Sequence, residues 1–456
     1  MRRVLKTLFA VLVAFFLNVA EASPHRDRHV ILISIDGFPA YLWRDPSVAL
    51  PTLRALASEG VAADAMTVAN PSVTWINHTT LITGATSRKH GVLYNGLLVR
   101  RGEDQPPRVD PHAVKEALIH VPALDDLVHA AGLTVGESAW PALTRSRAVS
   151  WSFPEVPSMD GKLEREMLAA NVFTETEISW MQLSGRKNVP WLDQAWTRAA
   201  QYVFSKHRPN LLMLHIVNTD VTHHRYGPGS PPSYTALSYA DRLVGDLVKT
   251  VNESGLRDRT TFIVTTDHGF KQVEKFLHPN VVLKQAGYLR PAGPSIAQCD
   301  AYVVTQGGVA MLFITNLNRK EELKSKLRTL YQTVEGIDQV VDAADAPKLG
   351  MPTDAENQGM SDLVLFAKAG YWFNSKGPVG DAVVTPAVDW FGAHGYLASD
   401  PQLDGIFIAS GAGVKRGETL KRVRNLDVAP TIAHLLGLAM PTAEGTVMRQ
   451  ILASEE

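Results

Sequence analysis

Four short apolar runs constrain this chain more than any other feature. HVILISI (29–35), LLMLHIV (211–217), TTFIVTT (260–266) and GIFIAS (405–410) are continuous rather than alternating. A strand with one wet face alternates polar and apolar residues, so a continuous run marks a strand covered on both faces, as in a parallel sheet. Helical patterns lie between the runs. Across residues 233–255, apolar side chains recur at 237, 240, 243, 244, 247, 248 and 251, one helix face closed by Gly255. Residues 51–60 and 427–438 carry similar patterns. Strands alternating with helices predict an α/β fold with a central, mostly parallel sheet and helices on both faces. Residues 271–390 read differently. There GGVAMLFIT and DLVLFAKAGYWF predict strands of a smaller α+β insertion, which divides the core into 23–270 and 391–456.

Residues 1–22 have the layout of a secretory signal peptide. MRRVLK is positive, TLFAVLVAFFL is apolar, and AEA at 20–22 suits cleavage. The apolar run is shorter than the about 20 residues a membrane span needs, and no later segment is long enough. The expectation is a secreted or periplasmic protein without a stable membrane anchor once the signal is removed. A formal net charge of −1 gives no sign of a nucleic-acid-binding surface. Cys299 is the only cysteine, so no intramolecular disulfide can form and stability must come from the core or from bound metals.

The strand exits are where chemistry gathers. The first run ends at Asp36, the second is followed by Asp220 and His224, and the third ends at Asp267 and His268. Open α/β sheets bind ligands at the carboxyl ends of their strands, so these residues face one crevice. His394, in the Gly-flanked loop FGAHGYLASD, is a sixth member. Each aspartate alone could cap a turn or helix. Three aspartates and three histidines together have the composition of a site for two divalent metals, suited to zinc and open to manganese or iron. Thr74, in NPSVTWINHTTLITG, precedes a helical pattern. Alone it reads as a helix cap; beside metals its hydroxyl becomes a nucleophile, because a cation lowers its pKa.

The blocks IDGF, TWINHTTLITG, HGVLYN, TDVTHHRYGP, TDHGF and GAHGYLASDPQLDGIFIASG stand in the order seen in nucleotide pyrophosphatase/phosphodiesterases. The chain resembles that family, of the alkaline phosphatase superfamily, from about residue 28 to 440. The resemblance implies an alkaline-phosphatase-like fold and two zinc ions. Asp36, Thr74, Asp267 and His268 match the ligands of one ion, and Asp220, His224 and His394 those of the other. It implies Thr74 as nucleophile, Asn95 as a donor to a phosphoryl oxygen, and Trp75 as a ring stacking on the substrate. Asn77 and His78 match positions that shape the loop.

Two departures are visible. His223 replaces a glycine, which predicts a role in substrate preference for His223 and metal ligation for His224. His215 stands where nucleotide-binding members often have tyrosine, which removes a stacking ring. WSFPEVPS (151–158) offers either aromatic contacts or core packing. The implied activity is hydrolysis of a small-molecule phosphodiester or pyrophosphate bond. A phosphomonoesterase or phosphonate hydrolase on the same scaffold is the alternative. A dianionic monoester calls for an added cation, and only Arg88 and Arg225 stand near the matched blocks. A sulfatase would need Cys or Ser where Thr74 stands. A secreted binding protein with a decayed site is the reading outside enzymes.

Overall fold

The computed structural model describes residues 25–454 apart from 186, 294, 375, 376, 378 and 379. The signal-peptide reading therefore lies outside the described residues. Nine strands among the described residues form the main sheet. In chain order they are β1 (His29–Ile35), β2 (Val61–Thr67), β3 (Val135–Ser138), β4 (Trp151–Phe153), β5 (Leu211–Ile216), β6 (Thr260–Thr265), β7 (Gly405–Gly411), β8 (Glu418–Leu420) and β9 (Val423–Arg424). Their spatial order is β8-β2-β7-β6-β1-β5-β3-β4, with β9 also paired to β2. Every pairing is parallel except those of β7, which runs antiparallel to β2 and β6.

The continuous apolar runs have the predicted cause. Val30 and Leu32 of β1 enter one core layer, while Ile31, Ile33 and Ile35 enter the other. Leu212, Leu214 and Ile216 of β5 likewise oppose Leu211 and Met213. On one face pack α1 (Pro51–Ser58), α3 (Val189–His207) and α5 (Pro231–Glu253). On the other pack α2 (Thr74–Thr83) and α6 (Val428–Leu435). Trp151 and Phe153 sit in the first of these layers, Phe153 fully buried and stacked on Phe173, so core packing is what WSF does.

A second, four-stranded antiparallel sheet joins Ala301–Gln306, Val309–Ile314, Leu363–Ala367 and Ile337–Asp342. Lys320–Gln332 covers its outer face through Leu323, Leu327 and Tyr331. Its inner face adds Val309, Met311, Phe313, Val364 and Phe366 to the main core. DLVLFAKAGYWF, read as one unit, splits between two sheets. Leu363–Ala367 stays in this one, and Gly370–Phe373 pairs with Lys271–Leu277. That small third sheet also holds Gly392–Ala393, and so fixes the loop that carries His394.

Candidate active site

The crevice lies where β1, β5 and β6 end together. Asp36 follows β1 directly, and the chain then turns through Gly37 at φ +67°, a conformation a side chain would strain. Asp267 comes two residues after β6, with its Oδ1 accepting the N–H groups of Gly37 (3.1 Å) and His268 (3.0 Å). Gly269 passes so close to the backbone of Gln402 that no Cβ would fit, and its N–H bonds Leu403 O at 2.8 Å. Asp220 and His224 share one face of α4 (Asn218–Tyr226), four residues apart.

These segments bring all six predicted residues together. Oxygen and nitrogen atoms of Asp36, Asp267 and His268 lie within 4.8 Å of one another, as do those of Asp220, His268 and His394. His224 Nε2 joins the second group 3.3 Å from Asp220 Oδ1, with His394 Nε2 at 3.5 Å. His268 stands between the groups, its Nε2 3.1 Å from Asp267 Oδ2 and 3.5 Å from Asp36 Oδ1, its ring stacked on His394 at 3.7 Å.

The tautomers point the same way. Nδ1 of His224 faces Gly392 O at 2.8 Å, that of His394 faces Ser72 O at 2.9 Å, and that of His268 faces Gly269 O at 3.1 Å. A carbonyl only accepts, so each Nδ1 carries the proton and each Nε2 offers a lone pair to the cluster, the arrangement of a metal-ligating imidazole. Buried Asp220 Oδ1 and Asp267 Oδ2 make no hydrogen bond to the protein. Burial opposes their ionisation, but the surrounding imidazoles outweigh it and hold both carboxyls well below the ordinary value. Burial, helped by neighbouring His268, pushes His394 down to about 3. Three buried carboxylates gathered with imidazoles around one crevice make a set of oxygen and nitrogen donors that cations would satisfy. The donor set therefore fits divalent metal ions.

Thr74 is the first residue of α2, not its cap. Val73 holds the cap position and no side chain caps the helix. Thr74 Oγ1 instead lies 3.4 Å from His268 Nε2. Asn77 shapes the approach to it. Its Oδ1 accepts Ala69 N–H and Asn425 Nδ2 at 2.8 Å each, and its Nδ2 donates to Pro71 O and Val73 O at 3.1 Å each. Asn95 is exposed, with Oδ1 accepting Trp75 N–H at 3.0 Å. The half-buried Trp75 ring packs against the core.

Two expectations need correction. His223 does not face the crevice. Its Nδ1 bonds Gly37 O at 2.9 Å and its Nε2 bonds Ser233 Oγ at 2.7 Å, so both nitrogens are taken within the core, and burial pushes its pKa down to about 4. His215 is also fully buried, its Nε2 3.1 Å from Asp36 Oδ2 and its Nδ1 3.2 Å from Ala139 O. It braces Asp36 from behind, at a depth no substrate ring reaches. The contact follows from the pairing of β1 with β5, which sets His215 opposite Ser34 beside the β1 exit, and the sequence does not show which strands pair. Trp372 and Trp390, beside His224, carried no sequence signal that placed them at the crevice.

An α/β fold with paired carboxylate–imidazole clusters at its strand exits has the layout of the metal-dependent hydrolases of the alkaline-phosphatase type. Residues 30–397 match the Type I phosphodiesterase / nucleotide pyrophosphatase family, and the chain belongs to it. It is a hydrolase of the phosphodiesterase/nucleotide pyrophosphatase class. Mouse ectonucleotide pyrophosphatase/phosphodiesterase family member 7 is 25% identical over 451 residues, 96% of this chain and 90% of that one. The human member 7 is 29% identical over 283 residues, 59% of this chain and 54% of its own length. Murine ectonucleotide pyrophosphatase/phosphodiesterase 5, solved as an inactive threonine-to-alanine form in complex with AMP, superposes with a TM-score of 0.70 at 19% identity. That superposition covers 93% of this chain and 100% of the other. No helix among the described residues is long and apolar enough to cross a membrane.

Proposed function

We propose that the chain is an exported phosphodiesterase that splits a nucleotide-derived or other small phosphodiester by way of Thr74. Two divalent metal ions, zinc by preference, would be held by Asp36, Thr74, Asp267 and His268 and by Asp220, His224 and His394. Bound there, they would supply Lewis acidity that lowers the pKa of the hydroxyl and neutralises charge on the entering and departing oxygens. Thr74 Oγ attacks phosphorus in line and gives up its proton, one ester oxygen leaves with its alcohol, and a threonine-linked phosphodiester that keeps the other ester group forms, which water then hydrolyses to a monoester and free Thr74. The Asn95 amide donates to a non-bridging oxygen. The observation that carries this reading is Thr74 itself, uncapped at a helix start with its hydroxyl 3.4 Å from the imidazole shared by both clusters. The AMP in the murine neighbour and the names of the relatives support a nucleotide among the substrates. The core at 23–270 and 391–456 would carry the site, with 271–390 as the insertion.

A diester is favoured over a monoester because both nearby arginines are committed elsewhere. Arg88 pairs with Glu356 at 2.7 Å, and Arg225 with Asp389 at 3.7 Å. The test compares an aryl phosphodiester with the matching aryl phosphomonoester, with and without chelator. Higher kcat/KM for the diester, abolished by chelation, is expected. A preference for the monoester would promote the phosphatase alternative, and chelator-resistant turnover would remove the metals from the reaction.

A further inference from the structure

Beside the second cluster opens a cavity of about 330 Å³. Of the six clustered residues only His224 and His394 line it. Trp390 stacks on His224 with ring centroids 4.3 Å apart, and Trp372 stacks on Trp390 at 5.2 Å. Nε1 of both tryptophans is buried and has no hydrogen-bond partner. Trp140 and Trp196 carry buried, unpaired indole N–H groups too, so what Trp372 and Trp390 offer the cavity is their ring surface. No lysine, arginine, aspartate or glutamate lines the cavity among the described residues. Next to this wall Phe391 is exposed, and its N–H bonds His224 O at 2.7 Å.

In-line attack puts the leaving group opposite the nucleophile. Val73, next to Thr74, and Asn95 line the cavity together with His224 and His394, so it runs from beside the nucleophile to the second cluster, and Trp390 stacks on His224 at that second cluster. We propose that Trp372 and Trp390 form the leaving-group subsite of the reaction proposed above. They select an uncharged, planar or apolar alcohol over a phosphorylated leaving group. The inference rests on the phosphodiesterase reading. Pyrophosphate would bring several negative charges against electron-rich ring faces, with no lysine or arginine on the cavity wall to add to the proposed metals. An uncharged alcohol instead gains from burial of its apolar surface against the two rings.

Two substrates that transfer the same thymidylyl group test this, p-nitrophenyl thymidine 5′-phosphate and thymidine 5′-triphosphate. Their intrinsic reactivities cancel when the ratio of kcat/KM values is compared between wild type and variant. Trp372→Ala and Trp390→Ala remove the ring surface, and each should lower the aryl-to-triphosphate ratio about tenfold, within the worth of one buried aromatic side chain. Thr305→Lys, which adds a cation to the cavity wall, should lower it by a similar factor by raising the triphosphate. Melting curves confirm folding, and if Trp390→Ala does not fold, the other two variants decide. Ratios within twofold of wild type in folded variants overturn the subsite while leaving the phosphodiesterase reading intact. A wild type that cleaves neither ester overturns both.

Discussion

His223 and His224 are neighbours in sequence, yet the structure gives them opposite consequences when lost. His223 is fully buried, with Nδ1–H donated to Gly37 O and Nε2 accepting from Ser233 Oγ. Replacing it with alanine opens a cavity, which costs about 2–5 kcal/mol in well-packed interiors. It also breaks two hydrogen bonds worth about 1 kcal/mol each. With some relaxation, a loss of about 4 kcal/mol follows. At about 2.1 cal/mol/K per residue over some 430 residues, that lowers Tm by roughly 4 °C. His224 lines the cavity wall at 9% exposure, where water can fill the space it leaves. His224→Ala should cost less than about 2 kcal/mol in chelator-treated protein but should remove one bound metal. Differential scanning calorimetry on chelated protein and elemental analysis on reloaded protein read both quantities. If His223→Ala melts within a degree of wild type and loses a metal while His224→Ala keeps both, the assignment is reversed.

Thr74→Ala should reduce steady-state turnover to a few per cent or less with an unchanged melting curve, since Thr74 caps nothing, and Thr74→Ser should keep part of the rate. Asn77→Ala removes four buried hydrogen bonds around the Thr74 approach. It should lower stability by about 3 kcal/mol or more and depress turnover with it, read by denaturant titration and initial rates. His90 gives a pH dependence: Val92 N–H donates to its Nδ1 at 3.1 Å, so that atom must stay unprotonated, and burial, with His120 nearby, pushes its pKa down to about 3. The unfolded chain binds this proton more readily, so the stabilisation is complete above about pH 6.5 and declines as pH falls towards 3, by about 2 kcal/mol between pH 6.5 and 5. His90→Gln should flatten that part of the stability–pH curve, measured by urea unfolding at stepped pH.

What the sequence made legible follows from what is periodic or punctual. The four buried strands were readable because burial on both faces imposes continuous apolar runs, and observed bounds match to within a residue at each end. Strand β2, VAADAMT, was missed because its alanines and the exposed Asp64 resemble neither an alternating nor a continuous apolar strand. Strands β3 and β4 are too short, at four and three residues, for any period to register. In the site, the cluster residues were readable because each stands at a strand exit or in a short motif. The roles of His215 and His223 were not, because they depend on which face of a strand or helix turns inward against which neighbour. A substituted glycine or tyrosine signals that something changed there, but not that the new imidazole bonds Gly37 O or Asp36.

The place of β7 has a consequence for how the molecule is made. The strand occupies residues 405–411, yet it lies between β2 and β6, near the centre of the sheet. Until it arrives, β2 has no link to the rest of the sheet, and β2 and β6 both present open hydrogen-bonding edges. Such edges pair readily with other chains. Closing this arrangement joins segments hundreds of residues apart in sequence, a topology that folds slowly. A nascent chain stopped short of residue 405 would hold most of its apolar surface without a finished sheet to bury it. Holding the chain unpaired until its last part emerges, as a translocating chaperone does, suits this topology, and truncations that remove β7 should yield aggregates rather than a smaller folded protein.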